Sequence, residues 1–185
     1  MAMACKEELE RHGVIVKMSR TKDEDDPVAQ EVKECNIFDP DIAIDCHNNA
    51  GGGDGFEAFH WTGSSAGYRL AKLIESEIKA LGQNSRGVKA NKKLKFLAST
   101  KCTAVLVEGF FLDNKTDCKM ADITSEQKAF GRAYARGILT YLGVEQKPQD
   151  GALYRVQIGV FENKVNADNL VKELKSKGYP AYVTT

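Results

Sequence analysis

Apolar residues recur along the chain with two spacings, one typical of helices and one typical of buried strands. Over residues 64–81 they fall three and four positions apart, which predicts a helix with one buried face that Gly82 closes. A second pattern of this kind covers residues 125–142 and stops at Gly143. Shorter helices are predicted at residues 4–11 and 26–35.

Strands are predicted at residues 14–18, 41–46, 56–61 and 104–107. Residues 41–46 are apolar nearly throughout, as expected of a strand covered on both faces, and 104–107 form another buried strand. Strands that alternate with helices of this length predict an α/β fold, with a mostly parallel sheet and helices on both faces. Ligands of such sheets bind at the carboxyl ends of the strands. Functional residues are therefore expected at those ends.

A polar stretch at residues 144–151 predicts a linker, because it contains both Pro148 and Gly151. It separates a main domain, residues 1–143, from a small unit, residues 152–185. Within this unit the pattern predicts a strand, a helix and a strand, at residues 154–161, 167–175 and 179–183. Such a βαβ appendage is close to the minimum size of the motif.

Charge and composition exclude several functions. Lys and Arg together number 26, as do Asp and Glu, so no global field attracts the chain to nucleic acid or to an anionic membrane. No apolar run reaches the roughly 18 residues of a membrane span. The first ten residues lack the features of a signal peptide, so we expect synthesis in the cytoplasm without a visible signal peptide.

Two predicted strands end in residues that can carry chemistry. His47 lies in the sequence IDCHNNA before a glycine-rich turn, and Glu108 lies in AVLVEGFFLDN. Parallel strands end at one sheet edge, so the imidazole and the carboxylate can converge as a metal ligand and a general base. The pattern alone equally allows His47 to bond a loop and Glu108 to pair with a lysine. Cys46 is an alternative nucleophile, although neighbours on a strand point apart and a core thiol is favoured.

These motifs resemble the zinc-dependent N-acetylmuramoyl-L-alanine amidases of the amidase-3 family. The resemblance extends from His12 to Val144, and the segments SRTKDED, GFEAFHW and RGVK…LKFLASTKCTAVLVE follow in matching order. It implies that His47 is a zinc ligand and that Glu108 is the catalytic glutamate, within a motif that ends at Asn114. The implied reaction cleaves the amide between N-acetylmuramic acid and the L-alanine of the stem peptide.

The sequence also departs from the pattern of the family. Its first zinc histidine and a glutamate ligand have no counterpart here, so we expect that the first strand of the domain is missing. One histidine would hold zinc weakly, since catalytic zinc normally has three protein ligands. His60 is an alternative ligand, whereas His12 is expected at a solvent-exposed corner.

Other residues are candidates for the surroundings of this site. Asp45 should face the same way as His47 and could orient its imidazole. Glu57 and Arg86 are candidates for the rim of the cleft, although solvated surface charge is the simpler interpretation. A sheet that lacks its first strand also has an unpaired edge, from which self-association is expected.

The C-terminal sequence YRVQIGVFENKVNADNLVKELKSKGYPAYV resembles half of a sporulation-related (SPOR) repeat. It implies binding to peptidoglycan glycan strands, with Gln157 and Phe161 as candidate contacts. A bare packing unit is the alternative. Taken together, we expect a peptidoglycan hydrolase that acts outside the cell at the bacterial wall, as an autolysin or endolysin. The alternative is an inactive protein that only binds the wall.

Overall fold

Two units make up the part of the chain that the computed structural model describes, residues 1–22, 24–148 and 158–183. The first unit is Met1–Lys147 and the second is Pro148–Thr185. Four strands form the sheet of the first unit: β1 (Ile42–Asn49), β2 (Phe56–Trp61), β3 (Ser85–Asn91) and β4 (Thr103–Phe111). Its helices are α1 (Ala2–Arg11), α2 (Val28–Phe38), α3 (Ser65–Ala80), α4 (Lys95–Ser99), α5 (Lys115–Asp122) and α6 (Thr124–Leu142).

The strands lie in the order β1-β4-β2-β3, and two of the three pairings are parallel. The prediction of a mostly parallel α/β sheet is therefore confirmed. The exception is β2, which runs antiparallel to β4. Only residues 50–55 connect β1 to β2, too few for the crossover that a parallel return requires, so β2 starts at the sheet edge where β1 ends.

Helices cover both faces of the sheet, as predicted. Alternate residues of β4 define the two faces, because side chains on a strand point in opposite directions. Val105 and Val107 belong to the larger core, with α1, α3 and α6, whereas Ala104 and Leu106 pack with α2 and α4. Within the described residues, no helix is long and apolar enough to cross a membrane.

The prediction of a strand at residues 14–18 is wrong. Val14 and Val16 pack against the core, but the segment has no strand assignment and Ile15 is 84% exposed. Strand β1 pairs with β4 alone, so the edge of β1 towards this segment has no partner among the described strands. An apolar alternation shows which side chains are buried but does not provide the neighbouring backbone that a strand needs.

The second unit contains one helix, α7 (Lys164–Ser176), where the sequence predicts a helix at residues 167–175. Asn163 caps it by accepting a hydrogen bond from the backbone N–H of Val165. The predicted strand at 179–183 is wrong, since these residues have no regular structure. Residues 154–157 of the strand predicted at 154–161 lie outside the described residues, and 158–161 are not in a strand. Two short strands without a larger sheet have too few partners to be stable.

Helix α6 lies unusually close to its neighbours because it carries two glycines. A Cβ atom on Gly131 would lie 2.3 Å from the carbonyl oxygen of Met1, and one on Gly137 would lie 2.7 Å from the Cα of Ile74. Both contacts are to backbone, which cannot rotate away. The packing of α6 on α1 and α3 therefore requires glycine at both positions.

We expect Gly137→Ala to lower the stability of the protein by about 1–3 kcal/mol, the usual cost of overpacking, although alanine favours helix formation by about 1 kcal/mol. Urea unfolding followed by circular dichroism measures this difference. Lys128→Ala, at an exposed position of the same helix, is the control and should change stability little. An unchanged or increased midpoint for Gly137→Ala would contradict the proposed close packing.

Candidate active site

A row of charged side chains crosses one face of the sheet at the end of β1 and β4. His47 of β1 pairs with Glu108 of β4, and Glu108 pairs with Glu57 of β2. Arg86 and Lys89 of β3 reach Glu57 from the next strand. We call these five residues the charged row. Strand register aligns the first three, so residues distant in sequence become neighbours in space.

Glu108 is the half-buried centre of the charged row. Its Oε2 atom is buried and has no hydrogen-bond partner among the described residues. Burial raises the pKa of this carboxyl, His47 opposes the rise, and the negative charges of Glu57 and Asp45 add to it. A carboxyl with a raised pKa and an unused oxygen is suited to proton transfer.

His47 is held by Asp45, two residues earlier on the same strand face. The Nε2 atom of His47 lies 2.9 Å from Oδ1 of Asp45. The hydrogen bond to Asp45 raises the pKa of His47 although partial burial lowers it, and the charges of Asp45, Glu108 and Glu31 add to the rise. The other ring nitrogen, Nδ1, has no hydrogen-bond partner among the described residues. This arrangement fixes the ring and leaves one nitrogen available.

Glu57 is a buried carboxylate with three donors. Its Oε1 atom accepts hydrogen bonds of 2.5 Å from Nε of Arg86 and from Nζ of Lys89, and its Oε2 accepts one of 3.2 Å from Asn49. Burial alone would raise its pKa, but the hydrogen bonds and charges of Lys89 and Arg86 outweigh burial and lower it. Glu57 is therefore ionised beside Glu108.

The loops after β1 and β4 are tied together by two aspartates that sequence analysis did not identify. Buried Asp117 accepts hydrogen bonds from the backbone N–H groups of Gly55 and Phe111 and from the side chain of Gln83. Asp113 accepts bonds from the N–H groups of Gly51 and Gly52. These bonds fix the turns that follow His47 and Glu108.

The glycine-rich turn also depends on a close approach. A Cβ atom on Gly53 would lie 2.3 Å from the ring of Phe111, so no larger residue fits there. Asn114 adds a further bond, from its amide to the carbonyl oxygen of Gly53, and its side-chain oxygen caps α5. The abundance of glycine and the Asn-x-x-Asp spacing were the available signals in the sequence.

The remaining histidines lie away from the charged row. His60 is buried on the opposite sheet face, where its Nδ1 lies 2.9 Å from the carbonyl oxygen of Trp61. The expectation that His12 is exposed is wrong, since its Nδ1 contacts the carbonyl oxygen of Glu8 and its Nε2 accepts a bond from the N–H of Lys147. A histidine at a helix end satisfies free backbone groups there.

Cys46 faces the larger core, as an alternating strand requires. Burial raises its pKa to about 12, with the charge of Asp45 adding to the rise, so its thiol stays protonated and is a poor nucleophile. In the second unit, Phe161 is exposed, and Gln157 lies outside the described residues.

The zinc site that the resemblance implies is incomplete in the part of the chain that the structure describes. Within it, no group of three or more His, Cys, Asp or Glu side chains is placed to hold a metal ion. His47 supplies a free ring nitrogen and Glu108 an unpartnered carboxylate oxygen, but catalytic zinc normally takes three protein ligands. These residues therefore do not form a zinc site by themselves.

An imidazole beside a half-buried carboxylate, at the carboxyl end of two parallel strands, is typical of a hydrolase site. Residues 1–140 match the N-acetylmuramoyl-L-alanine amidase family, and residues 132–185 match the SPOR domain. The chain is 31% identical over 176 residues to the N-acetylmuramoyl-L-alanine amidase CwlM of Bacillus licheniformis, covering 94% of this chain and 68% of that protein. The chain belongs to the N-acetylmuramoyl-L-alanine amidase family, and its function is that of a peptidoglycan amidase.

One further sequence relative and two solved structures are also similar to this chain. The endolysin of Bacillus phage SPP1 is 30% identical over 145 residues, which are 74% of this chain and 53% of that protein. The catalytic domain of the amidase CwlV from Bacillus (Paenibacillus) polymyxa superposes with a TM-score of 0.72 at 23% identity, covering 78% of this chain and 82% of that domain. Cwp6 from Clostridium difficile gives a TM-score of 0.73 at 25% identity over 76% of this chain, but only 24% of Cwp6.

We expect Asp117→Ala to destabilise the domain by roughly 3 kcal/mol or more, because it leaves two backbone N–H groups and a glutamine amide buried without an acceptor. Thermal unfolding measures the loss. The matched control is Asp113→Ala, which also removes an acceptor of two backbone N–H groups, but at an exposed position where water replaces it. Equal effects of the two substitutions would show that Asp117 does not fix these loops.

Proposed function

We propose that this chain hydrolyses the amide between the lactyl group of N-acetylmuramic acid and the L-alanine of the stem peptide, with Glu108 as the residue that transfers protons. The observation that carries the proposal is the register pairing of His47 with half-buried Glu108 at the end of β1 and β4. Membership of the amidase family supports the reaction, and the local chemistry supports the assignment of roles.

Glu108 acts first as a base and then as an acid. Its carboxylate takes a proton from the attacking water, which adds to the amide carbonyl. The same carboxyl then gives this proton to the leaving α-amino group of L-alanine as the C–N bond breaks. The unpartnered, buried Oε2 favours this assignment, because no residue of the described chain competes for that oxygen.

His47 is the second residue of the proposed site, and Asp45 positions it. For zinc, the proposal is limited to one protein ligand, the free ring nitrogen of His47. A zinc ion bound there would polarise the carbonyl and activate water, but the described residues do not complete its ligand set. We therefore assign no step to the metal, and we expect the chain to bind zinc weakly.

The second unit is proposed to bind the glycan strands of peptidoglycan, so that the protein acts at the cell wall. Phe161, Tyr179 and Tyr182 are exposed aromatic residues of this unit, and the match to the SPOR domain covers all three. Aromatic rings with exposed faces suit sugar binding because they bury apolar area while their surroundings stay hydrated. A protein that only binds the wall is the alternative function.

We expect Glu108→Gln to reduce the rate at which purified protein releases L-alanine-linked peptides from peptidoglycan by about 100-fold or more, the usual contribution of a positioned general acid–base residue. New amino termini are quantified with and without added zinc. Glu126→Gln, in the first turn of α6 and away from the charged row, is the control and should retain full activity.

Binding to the wall is measured in parallel by sedimentation with insoluble peptidoglycan. If no peptide is released with or without added zinc, but the protein still sediments with peptidoglycan, the alternative of a wall-binding protein is favoured. Release that Glu108→Gln leaves unchanged would reject the role of Glu108 while retaining the reaction. The two outcomes separate the assigned residue from the assigned activity.

We further propose that the chain self-associates through the free edge of β1. A groove of about 820 Å³ lies between this edge and the extended segment at residues 14–22. Ile42, Ile44, Val14 and Val16 line it, and all are only partly buried. An unpaired strand beside apolar side chains is a template for pairing with another chain.

We expect the protein to form dimers or larger species as its concentration rises, and Ile15→Lys to reduce them, because a charge beside an edge strand opposes pairing. Analytical ultracentrifugation over a hundredfold concentration range measures the association. Ile37→Lys replaces another exposed isoleucine, on α2 and outside the groove, and is the control. A wild-type protein that stays monomeric throughout, with a single cooperative unfolding transition, would contradict the proposal.

A further inference from the structure

Two cations of the charged row contact one carboxylate oxygen. Arg86 and Lys89 both donate to Oε1 of Glu57. The Glu57 side chain is 6% exposed, whereas those of Arg86 and Lys89 are 42% and 41% exposed. One cation is enough to balance a single carboxylate. The second leaves a positive charge at the solvent-facing end of the row, beside two acidic residues.

The guanidinium of Arg86 is held in one orientation. Its Nε donates to Glu57, and its Cζ atom lies over the ring of Phe111, 5.2 Å from the ring centroid. The two terminal nitrogens have no hydrogen-bond partner among the described residues. Lys89 is held in a similar way, with its Nζ 6.0 Å from the centroid of Phe59. A cation fixed by an ion pair and a ring loses little freedom when it binds an anion.

The distance from this cation pair to Glu108 is set by the sheet. Strand β2 separates β3 from β4, and neighbouring strands are about 4.8 Å apart, so the backbone that carries Arg86 and Lys89 lies roughly 10 Å from that of Glu108. The two side chains reach towards Glu108 as far as Glu57 on β2. An extended peptide advances about 3.3 Å per residue, so roughly 10 Å corresponds to two or three residues. A substrate with its scissile amide at Glu108 can therefore place its second or third side chain at Arg86.

We propose that Arg86, assisted by Lys89, forms a subsite that binds a carboxylate of the peptide substrate two to three residues from the scissile amide. The inference rests on the proposed function, since it takes Glu108 as the reacting centre. Arg86 suits this role because its free terminal nitrogens can bind both oxygens of a carboxylate at once. Glu57 is then a positioning residue that holds both cations on the face that carries Glu108.

The test compares two soluble peptides that differ in one group. N-lactyl-L-alanyl-glutamyl amide carries a carboxylate at its second residue, and N-lactyl-L-alanyl-glutaminyl amide carries a carboxamide there. Their affinities for the purified chain are measured by calorimetry and by NMR titration of the Arg86 side-chain Nε–H resonance. We expect about 5- to 10-fold tighter binding of the carboxylate, as a charge-assisted hydrogen bond at a partly exposed site provides.

Arg86→Met should abolish this preference, and Lys89→Met should reduce it. Lys128→Met removes one positive charge from the exposed face of α6 and should leave the preference unchanged. Thermal unfolding of each variant verifies that it is folded. Equal affinity of the two peptides for the wild-type chain, no binding of either, or a preference that survives in Arg86→Met would each overturn the subsite.

Hydrolysis of the same peptides is followed separately, by release of the alanyl amine. A carboxylate preference that depends on Arg86, without any hydrolysis, would support the subsite and reject the proposed reaction. Hydrolysis that depends on Glu108, without a carboxylate preference, would reject the subsite and support the reaction. The two inferences can therefore fail independently.

Discussion

The parallel pairing of β1 with β4 is the interaction on which the rest of the molecule depends. It joins two strands that are 54 or more residues apart in sequence, with His47 opposite Glu108. A slip of one residue in this register would turn every side chain of β1 to the other face of the sheet. Hydrogen bonds between the following loops, centred on buried Asp117, prevent such a slip at the functional end.

The charged row is electrostatically unusual because two acidic residues on adjacent strands lie between basic residues at either end of the row, in a half-buried setting. Glu57 and Glu108 are directly opposite each other, an arrangement of like charges that destabilises a sheet. Arg86 and Lys89 offset this repulsion by pairing with Glu57, which lowers the pKa of that carboxyl and keeps it ionised, whereas the pKa of Glu108 stays raised. One carboxyl serves as the anchor for cations, and the other stays available for proton transfer.

Strand geometry explains why only one of the three histidines belongs to the site. His47 shares a sheet face with Glu108, whereas His60 points to the opposite face and His12 satisfies backbone groups at the end of α1. The same alternation separates Cys46 from His47 and directs its thiol into the core. Residue type alone therefore does not identify a site, because all four residues are chemically capable.

The sequence by itself determined the helices with regular apolar spacing, the strands β1, β2 and β4, the α/β class, and the positions of His47 and Glu108 towards the carboxyl ends of β1 and β4. Those features follow from local periodicity and from the residues that stop each element. The tertiary structure alone decided the antiparallel place of β2, the irregular path of residues 14–18, and the ion pairs of Glu57 with Arg86 and Lys89. These depend on which backbone edges and side chains meet across the sheet, and chain spacing does not encode that pairing.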